Sequence, residues 1–246
     1  IENKNAIVTG ACGGIGFAIC ESLLDNKIAN LVLLDVTKNT EILKKLRGKY
    51  STQNIIFEKC DVRIKENFKE IFQKIYEKIQ KIDIVVNAAG IMDEYNVEKM
   101  IQINLLGVVF GSSLATEYMS KELGNHGGVI VNIASVAGYI PHDICPVYCG
   151  TKHGVIGYSR SIGTEFVYQK TEIKILVICP GATETPLIEN NLHNLALYPD
   201  RCKQLLEDLE HQSPKCVGGC VITAIKDYNC GSVLSIIDGK IDEVKF

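Results

Sequence analysis

The chain has 246 residues, of which 46% are hydrophobic and 22% are charged, and these proportions exclude a disordered or fibrous protein. Its 26 basic and 29 acidic residues leave a net charge of −3, so no strong positive field exists to attract nucleic acid or an anionic membrane. The charge-free apolar stretches around 101–116 and 127–141 are broken by Gln, Asn and Ser, so neither reaches the roughly 18 apolar residues of a membrane span. We therefore expect no nucleic-acid partner and no membrane span.

Short apolar runs alternate with helical patterns from one end of the chain to the other. The expected strands are these apolar runs, and they lie at 6–8, 31–34, 55–57, 84–86, 129–131, 174–179 and 232–237. The expected helices include a segment over 15–23, an amphipathic segment over 64–79 and a long apolar segment from about 102 to 122.

The alternation predicts the fold class. Continuous apolar runs are typical of strands buried on both faces, and strands alternating with helices favour a parallel sheet wound by right-handed crossovers. No internal repeat and no linker-like tract divides the chain. We therefore predict a single α/β domain over 1–246, with a Rossmann-like, doubly wound parallel sheet of about seven strands and helices on both faces.

The cysteines and histidines give little sign of special chemistry. Ten cysteines are scattered through apolar segments without a C-x-x-C pair, and a chain of this length needs no disulfides to fold. We expect free, mostly buried thiols and, with no glycosylation sequon or signal-like start visible, a cytoplasmic location. The five histidines form no motif with metal-ligand spacing, so no metal is expected.

A glycine-rich loop follows the first strand and opens the first helix. The sequence Thr9-Gly10-Ala11-Cys12-Gly13-Gly14-Ile15-Gly16 would let the backbone approach a pyrophosphate closely, with the helix N-terminus facing the anion. Asp35 ends the second strand 19 residues after Gly16, near the spacing of about 20 expected for a carboxylate that holds the adenosine ribose. This carboxylate favours NAD over NADP. The alternative is that Asp35 caps a helix and that Lys38 is a phosphate partner.

Tyr148 and Lys152 are the candidate catalytic pair. Pro146 is suited to a first helical turn, which places Tyr148 and Lys152 four residues apart on one helical face. A phenol has a pKa near 10, and a nearby ammonium would lower it toward the working pH. Ser135 lies just past the apolar run 129–134, where parallel sheets place ligand chemistry.

Together these motifs resemble the short-chain dehydrogenase/reductase family over essentially the whole chain. The glycine loop has the family's T-G-x-x-x-G-x-G spacing, and Tyr148-x-x-x-Lys152 follows Ser135 as in the family. Further matches are Asp61-Val62 after the third strand, Asn87-Ala88-Ala89-Gly90 after the fourth and Pro180-Gly181 with Thr185 after the sixth. The resemblance implies a cofactor site made of Gly10, Gly14, Ile15, Gly16, Asp35, Asp61, Val62, Asn87, Ala88, Gly90, Tyr148, Lys152, Pro180, Gly181, Thr183 and Thr185.

The resemblance also implies roles for the catalytic residues. Tyr148 would act as the base and Ser135 would hold the substrate oxygen. Lys152 would bind the nicotinamide ribose and lower the pKa of Tyr148. Asn104, on the long helix, would support a proton relay. These roles predict the NAD-dependent oxidation of a secondary alcohol to a ketone.

The segment 98–161 is similar to the branch that contains 15-hydroxyprostaglandin dehydrogenases and insect-type alcohol dehydrogenases. Cys145 stands where the prostaglandin enzymes have Gln, and a thiol cannot make the hydrogen bonds of an amide. The expected substrate is therefore a lipophilic, largely uncharged secondary alcohol under a helical lid over about 185–212. Its expected pocket wall consists of Val136, Tyr139, Ile140, Cys145, Leu187, Ile188 and Leu192.

Two other functions remain open from the sequence. One is a carbonyl reductase of a steroid, retinoid or terpenoid, and the other is a non-enzymatic relative that binds nucleotide or lipid. Glycines on the long helix (Gly107, Gly111) and on the catalytic helix (Gly150, Gly154, Gly157, Gly163) suggest flat faces for close approach. In the family these two helices pair with a second subunit, so a homodimer is expected; packing on the chain's own sheet is the alternative.

Overall fold

Strands and helices alternate along the chain in the predicted order. The structure is a computed structural model that describes residues 1–189 and 192–246. In the described residues, strands β1–β8 lie at Asn5–Thr9, Asn30–Asp35, Asn54–Lys59, Ile84–Asn87, Gly128–Ile133, Ile173–Pro180, Val233–Ile237 and Lys240–Glu243. Helices α1–α10 lie at Gly14–Asp25, Thr40–Lys49, Lys65–Ile79, Val97–Ile101, Gly107–Met119, Pro146–Ile162, Glu165–Thr171, Pro186–Glu189, Pro199–Asp208 and Pro214–Asp227.

The strands form one sheet in the order β3-β2-β1-β4-β5-β6-β7-β8. Strands β1 to β7 pair in parallel, which confirms the predicted fold class. The chain crosses from one edge strand, β3, to the sheet centre at β4. Strand connections therefore diverge above β1 and β4, and such a switch point is where open α/β sheets bind ligands, outside the carboxyl ends of the strands.

The prediction of about seven strands misses the last one. Strand β8 pairs antiparallel with β7 at the sheet edge, through a turn at Asp238 and Gly239. Both turn residues have positive φ, 47° and 73°, as a tight two-residue hairpin requires. The alternating, mostly exposed Lys-Ile-Asp-Glu of β8 lacks the apolar run by which the other strands are found. The Asp-Gly pair is the signal that would have found it.

Apolar side chains fill both faces of the sheet. One cluster lies between the sheet and helices α1 and α10, and a second lies between the sheet and helices α3 and α5. A third cluster is separate and lies beneath the segment 192–206, at the start of α6. All ten cysteines are free thiols, as predicted, and most are buried.

The long apolar helix begins earlier than predicted and contains an irregular turn. It runs from Val97 to Met119, with a π-helical turn at Gln102–Leu106 between α4 and α5. In the described residues this is the single helix whose length and mean hydropathy of 1.2 would suffice for a membrane span. In the fold, α5 packs against the sheet and buries Leu114, Ala115 and Met119 in its core. The residues 121–123, predicted as the helix end, form a separate 3-10 turn.

Candidate active site

A cleft of about 760 Å³ opens above the carboxyl ends of the central strands. Its walls come from the glycine loop, the ends of β2 to β5, helix α6 and the start of the segment after β6. The cleft therefore lies at the switch point that the topology creates. Of the predicted cofactor residues, it is lined by Gly10, Gly14, Ile15, Gly16, Asp35, Asp61, Val62, Ala88, Gly90, Tyr148, Lys152 and Thr185.

The glycine loop is folded as a cradle for an anion. Gly10 has φ +63°, and a Cβ there would lie 2.7 Å from Cα of Ala89, so the turn and the approach to β4 both require glycine. Helix α1 begins after Gly13, and no side chain caps it. First-turn N–H groups have no intrahelical acceptor, so those of α1 are available to a phosphate in the cleft. These residues fit a dinucleotide.

Asp35 faces the cleft from the end of β2. Its Oδ2 accepts a hydrogen bond from Cys12 N (2.9 Å), and its Oδ1 accepts one from Thr37 N (3.2 Å). Helix α2 is instead capped by Asn39, whose side chain accepts from the N–H groups of Glu41 and Ile42. The helix-cap alternative for Asp35 is therefore wrong. Lys38, which that alternative made a phosphate partner, is exposed and does not line the cleft.

Basic side chains that the sequence interpretation missed also line this part of the cleft. Lys59 is the register neighbour of Asp35 across β2 and β3. Arg63 forms a bidentate ion pair with Asp61, with Nη2 2.6 Å from Oδ2, and this pairing lowers the pKa of the Asp61 carboxyl. Arg63 follows Asp61 by two residues, so its proximity was visible in the sequence.

Four predicted cofactor residues lie beside or beneath the cleft rather than in its wall. Asn87 is buried and donates from Nδ2 to Asn132 Oδ1 (2.8 Å), so it joins β4 to β5. Thr183 Oγ1 donates to Gly181 O (2.9 Å), and both residues continue from Pro180 at the end of β6. These residues shape the segment that places Thr185 against the glycine loop. A Cβ on Gly14 would lie 2.5 Å from Thr185 Cγ2.

The structure brings Ser135, Tyr148 and Lys152 together: Tyr148 and Lys152 line the cleft, and Ser135 is hydrogen-bonded with Tyr148. Ser135 follows β5 and accepts Ala137 N at Oγ (3.2 Å). Helix α6 begins at Pro146, which sets Tyr148 and Lys152 on one face, with Lys152 Nζ 5.6 Å from the centre of the Tyr148 ring. Lys152 is buried and donates from Nζ to Ile133 O (2.9 Å). The predicted spatial arrangement of the three groups is thus present.

The pKa values of Tyr148 and Lys152 are shifted mainly because the two groups are buried. Burial lowers the pKa of Lys152 from 10.5 to about 8. Burial raises the pKa of Tyr148 above its ordinary value of 10, and a hydrogen bond with Ser135 offsets part of this rise. For the chain alone, the net shift at Tyr148 therefore runs opposite to the predicted one. The loss of water destabilises the phenolate more than its neighbours stabilise it.

Asn104 lies in the π-helical turn and is wholly buried. Its Oδ1 accepts Ile91 N (2.9 Å), while its Nδ2 donates to Ile91 O (2.8 Å) and to Thr151 Oγ1 (3.2 Å). A Cβ on Gly90 would lie 3.5 Å from Asn104 Oδ1 and 3.6 Å from Lys152 Nζ. Asn104 therefore ties the residues after β4 to the catalytic helix. Its role in a proton relay remains a prediction.

The predicted substrate wall divides into three groups. Cys145, Ile188 and Leu192 pack in the third apolar cluster, beside Tyr148. Leu187 lines the cleft, and Val136 follows Ser135 directly. Tyr139 packs in another cluster near β7, and Ile140 is 43% exposed. In the described part of 185–212, α8, a 3-10 turn at Leu192–Leu195 and α9 give the predicted helical character.

The glycines assigned to flat helix faces have different surroundings. A Cβ on Gly111 would lie 2.1 Å from Asn87 Oδ1, and one on Gly107 would lie 2.8 Å from Val62 Cγ2. Gly111 therefore packs on β4 and Gly107 on the turn after β3 of the same chain, and their assignment to a subunit interface is wrong. Gly163 ends α6 against Gly231, and Gly154 packs on Leu105. A Cβ at Gly150 or Gly157 would meet nothing within 4 Å.

Comparison with known proteins agrees with this geometry. The family model for short chain dehydrogenases matches residues 4–196. The chain is 36% identical to rat (Rattus norvegicus) 15-hydroxyprostaglandin dehydrogenase [NAD(+)], over 98% of this chain and 93% of that protein. It is 35% identical to alcohol dehydrogenase 1 of Ceratitis capitata, over 100% of this chain and 96% of that protein. The crystal structure of levodione reductase superposes with a TM-score of 0.82 at 25% identity, covering 97% of this chain and 98% of that one. The chain belongs to the short-chain dehydrogenase family.

Proposed function

We propose that this protein oxidises a lipophilic secondary alcohol to the ketone with NAD as the hydride acceptor. The observation that carries the proposal is a cleft lined by Tyr148, Lys152 and Asp35, with Ser135 hydrogen-bonded with Tyr148. The name of the rat relative specifies NAD(+), and the Ceratitis relative is named as an alcohol dehydrogenase. A carboxylate at the end of β2 repels the 2′-phosphate of NADP, which supports the same cofactor choice.

In this mechanism, Tyr148 removes the hydroxyl proton of the alcohol while Ser135 donates a hydrogen bond to the substrate oxygen. Lys152, held by Ile133 O, stands one helical turn from Tyr148 and binds the cofactor ribose. Bound NAD supplies the hydride acceptor and a positive ring that favours the phenolate. Because burial alone raises the pKa of Tyr148, the base becomes effective only when such positive charge is near it.

The substrate class follows from the apolar cluster beside Tyr148. Its buried members are Met92, Ala137, Ile144, Cys145, Cys149, Leu192, Ala196 and Cys202, and Ile188, Leu195, Leu205 and Leu206 pack against them. A charged group would lose its hydration against these apolar side chains, so an uncharged, lipophilic alcohol is the better ligand. The intact Ser135, Tyr148 and Lys152 disfavour a purely binding relative, and Asp35 disfavours an NADPH-dependent reductase.

We also infer that the protein acts in the cytoplasm as a homodimer. Ten free thiols suit a reducing compartment. The bare stripe at Gly150 and Gly157 on α6 supports helix-to-helix contact with a second copy.

The test is a screen for NADH or NADPH formation with secondary alcohols of increasing size. The panel is 2-propanol, a terpenoid alcohol, a hydroxysteroid and a 15-hydroxyprostaglandin, each with NAD and NADP. We expect turnover with NAD and higher kcat/KM for the lipophilic alcohols than for 2-propanol. Asp35→Ser should reduce the preference for NAD by about tenfold, because it removes one charge near the 2′ position.

Two outcomes would contradict the proposal. Ketone reduction by NADPH without alcohol oxidation by NAD would support the reductase. Cofactor binding without turnover in either direction would support a binding protein.

A further inference from the structure

The first turn of the catalytic helix is held by a carboxylate from another part of the chain. Glu94, in the loop between β4 and α4, accepts Tyr148 N at Oε1 (2.9 Å) and Val147 N at Oε2 (3.0 Å). One of these two N–H groups belongs to the candidate catalytic base itself. Nothing in the sequence pattern assigned a function to Glu94.

These two bonds complete the hydrogen bonding of the helix start. The N-cap residue, Cys145, makes no side-chain cap, and its N–H donates to His142 O (3.3 Å). Pro146 has no N–H, so Val147 and Tyr148 carry the remaining first-turn donors. A cysteine followed by proline cannot satisfy them locally. The helix therefore depends on Glu94 for the cap that Ser, Thr, Asp or Asn commonly provides.

The Glu94 carboxylate is buried, and its hydrogen-bond partners are the N–H groups at the start of α6. Glu94 is 4% exposed, and no ion pair recorded for the described residues includes it. A buried carboxylate is stabilised by N–H donors and by the positive end of a helix, and α6 supplies both. The interaction is therefore specific for this geometry, because displacement of either partner leaves a buried charge without compensation.

The same loop also holds the lid segment. Glu94 N donates to Leu195 O (2.9 Å), and Tyr95 Oη donates to Ala196 O (3.2 Å). Leu197 N in turn donates to Ile144 O (3.0 Å), just before the catalytic helix. The loop at 94–95, the segment 195–197 and the residues 144–148 at the start of α6 are therefore joined to one another by hydrogen bonds around Glu94.

We propose that Glu94 is a positioning residue for the oxidation reaction. Its carboxylate fixes the backbone of Tyr148 and thereby holds the phenol in register with Ser135 and with the lid. This inference rests on the proposed function, because it assumes that Tyr148 is the base. Glu94 does not line the dinucleotide cleft, so its effect is expected on turnover rather than on cofactor binding.

The test compares Glu94→Gln, Glu94→Asp and the control Glu98→Gln. Gln at 94 keeps the size but turns an NH₂ group toward one of the two donors, whereas Asp keeps both acceptor oxygens on a shorter side chain. Glu98 is exposed on α4 and contacts Gln102. We expect kcat of Glu94→Gln to fall by about 10- to 100-fold, the cost of a small misplacement of a catalytic group. Glu94→Asp should be intermediate and Glu98→Gln unchanged.

Calorimetric titration with NAD measures cofactor affinity separately from turnover. It therefore distinguishes a misplaced Tyr148 from a general loss of structure. We expect the dissociation constant of each variant for NAD to stay within about twofold of the wild-type value. Retained binding of NAD also shows that the variant is folded. Wild-type turnover in both Glu94 variants, or loss of NAD affinity in proportion to kcat, would overturn the proposal. Failure of the proposed function is distinguishable, because it would appear as absent turnover in the wild type or as full turnover in Tyr148→Phe.

Discussion

Among individual side chains, Lys152 is the one whose burial most clearly lowers the stability of the folded protein. Its ammonium is buried, with one carbonyl as its recorded hydrogen-bond partner. Burial disfavours the charged form, so its pKa falls from 10.5 to about 8. Between these values the unfolded chain binds more protons than the folded one, and stability therefore rises with pH across that window.

We predict that Lys152→Met abolishes most turnover yet stabilises the protein at pH 7. The buried charge costs about 3 kcal/mol at that pH, from which about 1 kcal/mol for the lost bond to Ile133 O is subtracted. The gain should shrink as the pH rises from about 8 toward 10, because wild-type Lys152 then becomes neutral. Denaturant unfolding at pH 7 and at about pH 9.5 measures both effects. Lys69→Met, on the exposed face of α3, is the control; a variant less stable than wild type at pH 7 would refute the prediction.

The sequence identifies the reacting side chains better than the residues that hold them. Ser135, Tyr148 and Lys152 are recognisable because their chemistry requires particular residue types at fixed spacing. Glu94 is not, because its partners are backbone N–H groups more than 50 residues away. The direction of the pKa shift at Tyr148 was also out of reach, since it depends on how much water the fold removes.

At the level of helices and strands, burial on both faces decides what the sequence reveals. Strands β1 to β7 are apolar runs and were found, whereas β8 lies at the edge and was missed. Glycines on helices are ambiguous for the same reason, because the sequence does not tell which face touches the sheet. Gly111 faces β4 of the sheet and Gly107 faces the turn after β3, whereas a Cβ on Gly157 would meet nothing within 4 Å.

We predict that Gly157→Leu prevents formation of the proposed homodimer. A side chain at 157 would meet nothing within 4 Å in the single chain, and replacing a helical glycine commonly gains about 1 kcal/mol. The monomer should therefore tolerate the change, while a second copy packed on α6 should not. Gly219→Leu is the matched control, since a Cβ there also meets nothing within 4 Å and it lies on α10.

Light scattering after gel filtration measures the result. We expect twice the chain mass for the wild type and for Gly219→Leu, and the mass of one chain for Gly157→Leu. A monomeric wild type would remove the dimer proposal. A dimeric Gly157→Leu would place the interface elsewhere than on α6.

In the whole molecule, the cleft and the third apolar cluster meet at the carboxyl ends of the parallel strands. The glycine cradle after β1 and Asp35 at the end of β2 line the cleft beside the switch point, which the chain order of motifs made predictable. The apolar cluster beneath the segment 192–206 packs against Tyr148. Its composition depends on segments distant in sequence, so the predicted wall was only partly assembled there. Tyr148 thus lines the cleft and also packs against this apolar cluster.

The measurement that tests this arrangement most directly is the turnover of Tyr148→Phe at saturating NAD and alcohol, beside its affinity for NAD. We predict that kcat falls by about 100- to 10,000-fold, the range for loss of a general acid–base group, while NAD still binds. Tyr228→Phe, beyond the end of α10 and outside the cleft, should keep wild-type turnover. A Tyr148→Phe enzyme that oxidises the alcohol within tenfold of the wild-type rate would contradict the account.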